Sequence, residues 1–96
     1  MIVVVGRLVV AEGDREAHLD RSTEAVRAAR AAPGCLHFAV SADPVEPTWV
    51  DVAEVWASRD ELDAFRASGG ADDDSDPFVL VREFHVDEYE TRPDAT

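Results

Sequence analysis

Residues 35–57 read CLHFAVSADPVEPTWVDVAEVWA, and this stretch decides the architecture. Two strand-like runs, Cys35–Ala42 and Thr48–Ala57, flank Asp43-Pro44-Val45-Glu46-Pro47. One aspartate and two prolines in five residues make a turn, so the runs form an antiparallel hairpin. Ser58-Arg59-Asp60-Glu61 follows in the Ser-x-x-Glu pattern of a capping box. It opens a short helix with Leu62 and Phe65 on its inner side, closed by Gly69-Gly70.

Upstream of the hairpin, Ile2–Val10 (IVVVGRLVV) is β-branched and almost continuously apolar. That pattern marks a central strand buried on both faces. Glu12-Gly13-Asp14 is a turn, with Asp14 the candidate N-cap. Arg15–Ala32 is an Ala-rich helix whose expected buried face is Leu19, Ser22, Val26 and Ala29; Pro33-Gly34 ends it. Downstream, the acidic run Asp72–Asp76 reads as a solvated loop ending at Pro77. Phe78–Tyr89 is the fourth strand. Residues 1–90 form one domain and 91–96 a tail.

The order is β-α-β-β-α-β. Two right-handed strand-helix-strand crossovers interleave most simply as a ferredoxin-like, four-stranded antiparallel sheet with both helices on one face. The helices then leave the other face open, although the strands are apolar on both. A monomer rarely exposes more than about 300–600 Å² of contiguous apolar surface. A homodimer, sheet against sheet, is therefore expected.

Parity carries this further. A five-residue loop puts Ala42 opposite Thr48, so that Phe38 faces Val52, Leu36 faces Glu54 and Val40 faces Val50. The even-numbered positions are bulky and the odd-numbered ones, Cys35, Ala39, Ala53, Val55 and Ala57, are smaller. Small residues suit close approach of an Ala-rich helix. The even side is therefore expected to face away from the helices, carrying both the cavity and the dimer contact, with Val50, Val52 and Trp56 in it.

Acidic residues outnumber Lys and Arg 21 to 9, giving a net charge of -12. Such a surface does not suit nucleic acid or an anionic membrane. No apolar run approaches the ~18–20 residues of a membrane span, and no basic region precedes Ile2 as in a signal peptide. Cys35 is the single cysteine. It excludes an intrachain disulfide and a Cys-x-x-Cys site, and a reducing cytoplasm fits that usage. His18, His37 and His85 are scattered without metal-ligand spacing. No P-loop, dinucleotide fingerprint or Gly-x-Ser-x-Gly occurs. The expectation is no metal, flavin or haem.

Several pieces resemble the antibiotic biosynthesis monooxygenase domain family. They are the first strand running into Glu12-Gly13, then Pro33-Gly34-Cys35-Leu36-x-Phe38, Asp43-Pro44 with Pro47, and Glu54-x-Trp56-x-Ser58-x-x-Glu61-Leu62. The resemblance implies a dimeric α/β barrel. It also implies binding or oxidation of small aromatic or quinone-like molecules without metal or flavin. Relatives that oxygenate polycyclic hydroxyarenes match at Trp56 but carry Asn where this chain has Val52, and Tyr where it has Val40. Haem-degrading relatives carry a first-strand Asn where Gly6 stands, and a second-helix His where the chain reads Phe65-Arg66. Haem cleavage is therefore not expected.

The expected site follows from parity and this resemblance together. Phe38, Val52 and Trp56 wall a pocket for an aromatic ligand. Glu54, on the same face, is either a base with a raised pKa or an interface ion pair with Arg7 or Arg82. His85 is a second candidate base, since imidazole titrates near pH 6.5. Its parity differs from that of Arg82, so only one of the two can face the cavity. His18 and His37 are expected to be exposed, and Cys35 to be an inert buried residue. Three readings follow. One is a cofactor-independent monooxygenase acting on a hydroxyaromatic or quinol. The second is a non-catalytic binding protein of the same fold. The third is an isomerase or cyclase working through Glu54 or His85.

Overall fold

A computed structural model describes residues 1–68 and 77–92. The expectations for Gly69-Gly70, the Asp72–Asp76 run and residues 93–96 lie outside the described residues.

The chain forms β1 (Ile2–Val10), α1 (Arg15–Ala31), β2 (Cys35–Ala42), β3 (Trp49–Trp56), α2 (Arg59–Ser68) and β4 (Val81–Glu90). A 3-10 turn, Pro77–Leu80, precedes β4, so the fourth strand starts three residues later than its apolar content implied. The sheet runs β2-β3-β1-β4, antiparallel throughout, which is the ferredoxin-like order. β1 is central, as its composition required.

Local chemistry sets the boundaries. The Glu61 N–H donates to Ser58 Oγ at 3.2 Å, and the Ser58 hydroxyl donates to Glu61 Oε1 at 3.0 Å, so Ser58 caps α2. Asp14 precedes α1 without a side-chain cap. In the hairpin loop, Asp43 Oδ2 accepts the N–H groups of Val45 and Glu46 at 3.0 and 2.8 Å. Arg15 Nη1 ties the loop to the start of α1 by donating to the carbonyls of Asp43 and Glu46. At the other end of the sheet, the N–H of Thr91 donates to the carbonyl of Met1 at 2.8 Å.

Gly6 is required by close approach. A Cβ at this position would strike the His85 carbonyl and Val86 Cα of β4. Gly34, at φ +83°, turns the chain after α1, and a Cβ there would enter the Glu61 side chain.

The hairpin register is shifted by two residues from the expectation. Ala42 pairs with Val50, Val40 with Val52 and Phe38 with Glu54. A shift of two preserves the faces, because side chains alternate with period two. A bulge between Cys35 and His37 breaks the alternation at the strand's start. It turns Leu36 out to 58% exposure, while Cys35 packs against the core.

The assignment of faces is corrected. The even-numbered side lies under the helices, not away from them: Ile2, Val4 and Trp56 form the core cluster with Ala29 of α1 and Leu62 of α2. Val50 is likewise fully buried. Bulky sheet residues meet the small side chains of α1, and this interdigitation of large with small fills the interlayer space. Small residues on both layers would leave it empty. The odd-numbered side is the open face. There Val5 is 37% and Tyr89 54% exposed.

Candidate functional site

The core closes one part of the space between sheet and helices, and a cavity of about 380 Å³ occupies the rest. Its floor is the even face of the sheet, including Val4 and Leu8 of β1, Val52 of β3 and Val86 of β4. Its roof comes from His18, Ser22 and Val26 of α1 and from Phe65 of α2. Phe78 and Phe84, both more than half exposed and with ring centroids 6.2 Å apart, stand at its edge. The lining is mostly apolar, and the volume falls in the range of small-molecule sites, roughly 300–1,000 Å³.

Phe38, Val52 and Glu54 line this cavity, which lies on the helix side of the sheet and not on the opposite side where the pocket was expected. Trp56 does not. It is fully buried behind Phe65, on which it stacks with centroids 5.2 Å apart and an interplanar angle of 29°. Phe38 meets the same Phe65 ring edge-on at 6.2 Å. Trp56 therefore positions wall residues and reaches the site through its polar edge: the indole Nε1–H donates to Glu54 Oε1 at 2.9 Å.

Within the chain Glu54 makes no ion pair with Arg7 or Arg82, and it lies in the cavity under the helices, away from the odd-numbered face. Burial pushes its carboxyl above the usual range. The Trp56 hydrogen bond and the charge of Arg66 act against that shift, and the nearby Glu88 adds to it. Arg66 also lines the cavity, and its Nη2 donates to Glu88 Oε2 at 2.9 Å. Arg59 holds the other oxygen of Glu88 at 2.6 Å, and these two arginines keep the Glu88 carboxyl below the usual range. Arg7 lies on the odd face, its guanidinium carbon 4.1 Å from the centre of the Trp49 ring.

His85 is placed on the wrong side for the role foreseen. It pairs with Arg7 across the ladder and lies on the open face, where its Nε2 meets Glu83 Oε1 at 3.0 Å. Arg82 does not line the cavity either, because the register shift beside Val9 and Val10 makes it the extra residue of a bulge. The histidine that does line the cavity is His18, which is fully buried rather than exposed. The inward residues of α1 are His18, Ser22, Val26 and Ala29, so Leu19 gives way to His18. The spacing 18, 22, 25, 26, 29 was a legible helical stripe, obscured because its members are small or polar.

Cys35 carries a thiol pushed up by burial and by Glu54, the opposite of an activated nucleophile. Among the described residues, no three His, Cys, Asp or Glu side chains stand together as a metal site. Among them, too, no helix is long and apolar enough to cross a membrane.

A ferredoxin-like sheet with a mostly apolar cavity between it and its two helices defines a class of small α+β proteins. The chain belongs to the antibiotic biosynthesis monooxygenase family, whose sequence profile it matches over residues 1–73. Its fold is similar to that of a Nitrosomonas europaea protein that carries this family's name provisionally. The TM-score is 0.82 at 17% identity, covering 95% of this chain and 98% of that one. A Deinococcus radiodurans protein with the same provisional name aligns at TM-score 0.80 and 24% identity, over 100% and 97% of the two chains. A conserved protein of Methanosarcina mazei aligns at 0.76 and 18%, over 95% and 92%. No curated protein matches the chain.

Proposed function

We propose that the protein is a cofactor-independent monooxygenase that acts on a small hydroxyaromatic or quinol-like substrate and works as a homodimer. The observation that carries this is the cavity itself. It has flat aromatic and branched aliphatic walls and a carboxylate, Glu54, whose proton affinity is raised by burial.

An electron-rich phenolate can reduce O₂ directly, so the protein need only bind, deprotonate and shield it. A hydroxyarene and O₂ then give a quinone and water. The substrate supplies all four electrons, one oxygen atom enters the ring and the other leaves as water. Phe38, Val52 and Phe65 hold the ring, and the low-polarity wall keeps water from the intermediate. The second copy covers the odd-numbered face, where Val5 and Tyr89 are exposed and Val3, Val9 and Val55 are half-buried.

The test is O₂ uptake by the purified protein with dihydroxynaphthalene and hydroxyanthrone substrates. Uptake matched by quinone formation supports the reading. A second reading, ligand binding without turnover, is favoured by Val40 and Val52, which make apolar the two wall positions where hydroxyarene-oxygenating relatives are polar. Stoichiometric ligand binding with no O₂ consumption would decide for it.

A further inference from the structure

The helix roof of the cavity carries a polar side chain that is left unmatched. His18 is fully buried in α1, and neither Nδ1 nor Nε2 has a hydrogen-bond partner. The nearest hydroxyl along the helix does not serve it, because Ser22 Oγ donates to the backbone carbonyl of His18 at 2.8 Å. Buried polar groups without partners are few in folded proteins, and each carries a desolvation cost that packing does not repay. Here the unmatched imidazole stands in a cavity wall, the one place where a bound molecule can complete it.

The surroundings define what that molecule offers. Burial holds the imidazole below its ordinary pKa, so it is neutral and one ring nitrogen is an acceptor. The charged groups lining the same cavity are Glu54 from β3, Glu88 from β4 and Arg66 from α2. Arg66 is engaged by Glu88. Among the described residues no other cation lines the wall, so an aromatic carboxylate or phosphate finds no counter-charge there. An uncharged hydroxyl fits.

We propose that His18 is the group that accepts a hydrogen bond from the hydroxyl of a phenolic ligand in this cavity, while Glu54 holds a second polar atom of that ligand. The assignment rests on the cavity being the ligand site. The ligand hydroxyl keeps its proton and donates it as a hydrogen bond to the free ring nitrogen, because burial disfavours both an imidazolium and a phenolate there. The two polar groups stand on opposite layers, His18 in the helix roof and Glu54 on the sheet floor, so the ligand carries oxygen at two separated positions.

The probe is 4-nitrophenol, which turns yellow when it ionises. At a pH where the free probe is partly yellow, the protein should bind it as the colourless neutral phenol. His18→Phe should bind it at least tenfold more weakly. Unchanged affinity in His18→Phe, or a probe bound to the native protein as the yellow phenolate, overturns the assignment. His18 is buried, so a second measurement uses the native chain. Long-range ¹H–¹⁵N NMR should shift the acceptor ring nitrogen of His18 upfield on saturation with 4-nitrophenol while the ring stays neutral; ring nitrogens that do not move overturn the proposal. The outcomes separate from those for oxygenation. Probe binding that depends on His18, without O₂ uptake on dihydroxynaphthalene, sinks the oxygenase reading and upholds His18. O₂ uptake that survives His18→Phe unchanged, with probe binding also unchanged, does the reverse.

Discussion

The indole of Trp56 donates its Nε1 hydrogen to Oε1 of Glu54 at 2.9 Å, two residues away on the same face of β3. The pair divides the interlayer space. The ring of Trp56 belongs to the core, against Phe65 and beside Ile2, Val4, Ala29 and Leu62. The carboxylate of Glu54 belongs to the cavity. A residue conspicuous in the sequence thus acts on the site through its neighbour.

Substitutions at Trp56 should therefore read as stability first. Trp56→Ala should cost about 3–5 kcal/mol, the range for deleting a fully buried aromatic side chain. Trp56→Phe keeps an aromatic ring against Phe65 and removes only the donor. It should cost less, and it should raise the Glu54 pKa further because the hydrogen bond that favours the carboxylate is gone. Urea titration and ¹³C NMR titration of the Glu54 carboxyl check the two halves. A Glu54 pKa that falls in Trp56→Phe would contradict the relationship.

Glu54 should have the pH signature of a carboxylate buried at a cost. Its folded pKa lies above the unfolded value of about 4.5, so the folded state binds the proton more tightly. Stability from this group is present below the unfolded pKa and is lost as pH rises through the folded pKa. Glu54→Gln should keep an acceptor for the Trp56 N–H and remove that loss. Its Tm at pH 7 should equal or exceed that of the native protein, with a flatter profile above pH 4.5. A large fall in Tm at neutral pH would show that the carboxylate is stabilised by a cation instead.

The dimer should involve the odd-numbered face. Light scattering at micromolar concentration should give twice the 10.5 kDa chain mass. Val5→Asp should yield folded monomer, since Val5 is partly exposed and its charge would be buried unpaired only in the dimer. Val50→Asp should unfold the chain instead, because Val50 is fully buried under the helices. A native monomer in solution would remove the dimer from the proposal.

Gly6→Ala should loosen β1 from β4. The added methyl meets the His85 carbonyl and the Val86 backbone, neither of which is the end of a flexible side chain. Overpacking of this kind typically costs about 1–3 kcal/mol. Hydrogen exchange should show faster opening of the β4 amides than of those shared by β2 and β3. Uniform protection in both halves of the sheet would contradict this.

The sequence alone determined the element order, the centrality of β1, the hairpin, the Ser58 cap of α2 and the even-numbered face that gathers Phe38, Val52 and Glu54. These are local or periodic properties. A capping serine, a prolyl turn and a two-residue alternation are written within a few positions of the chain, and a register shift of two leaves the faces intact. Only the tertiary structure decided which face the helices cover. That choice depends on how the volumes of two layers complement each other, with bulky strand residues meeting the small side chains of α1. The same packing drew His18 into the cavity roof, turned His85 to the open face and withdrew Trp56 behind Phe65. No spacing rule encodes those placements, because each depends on residues distant in sequence that meet only when the layers close.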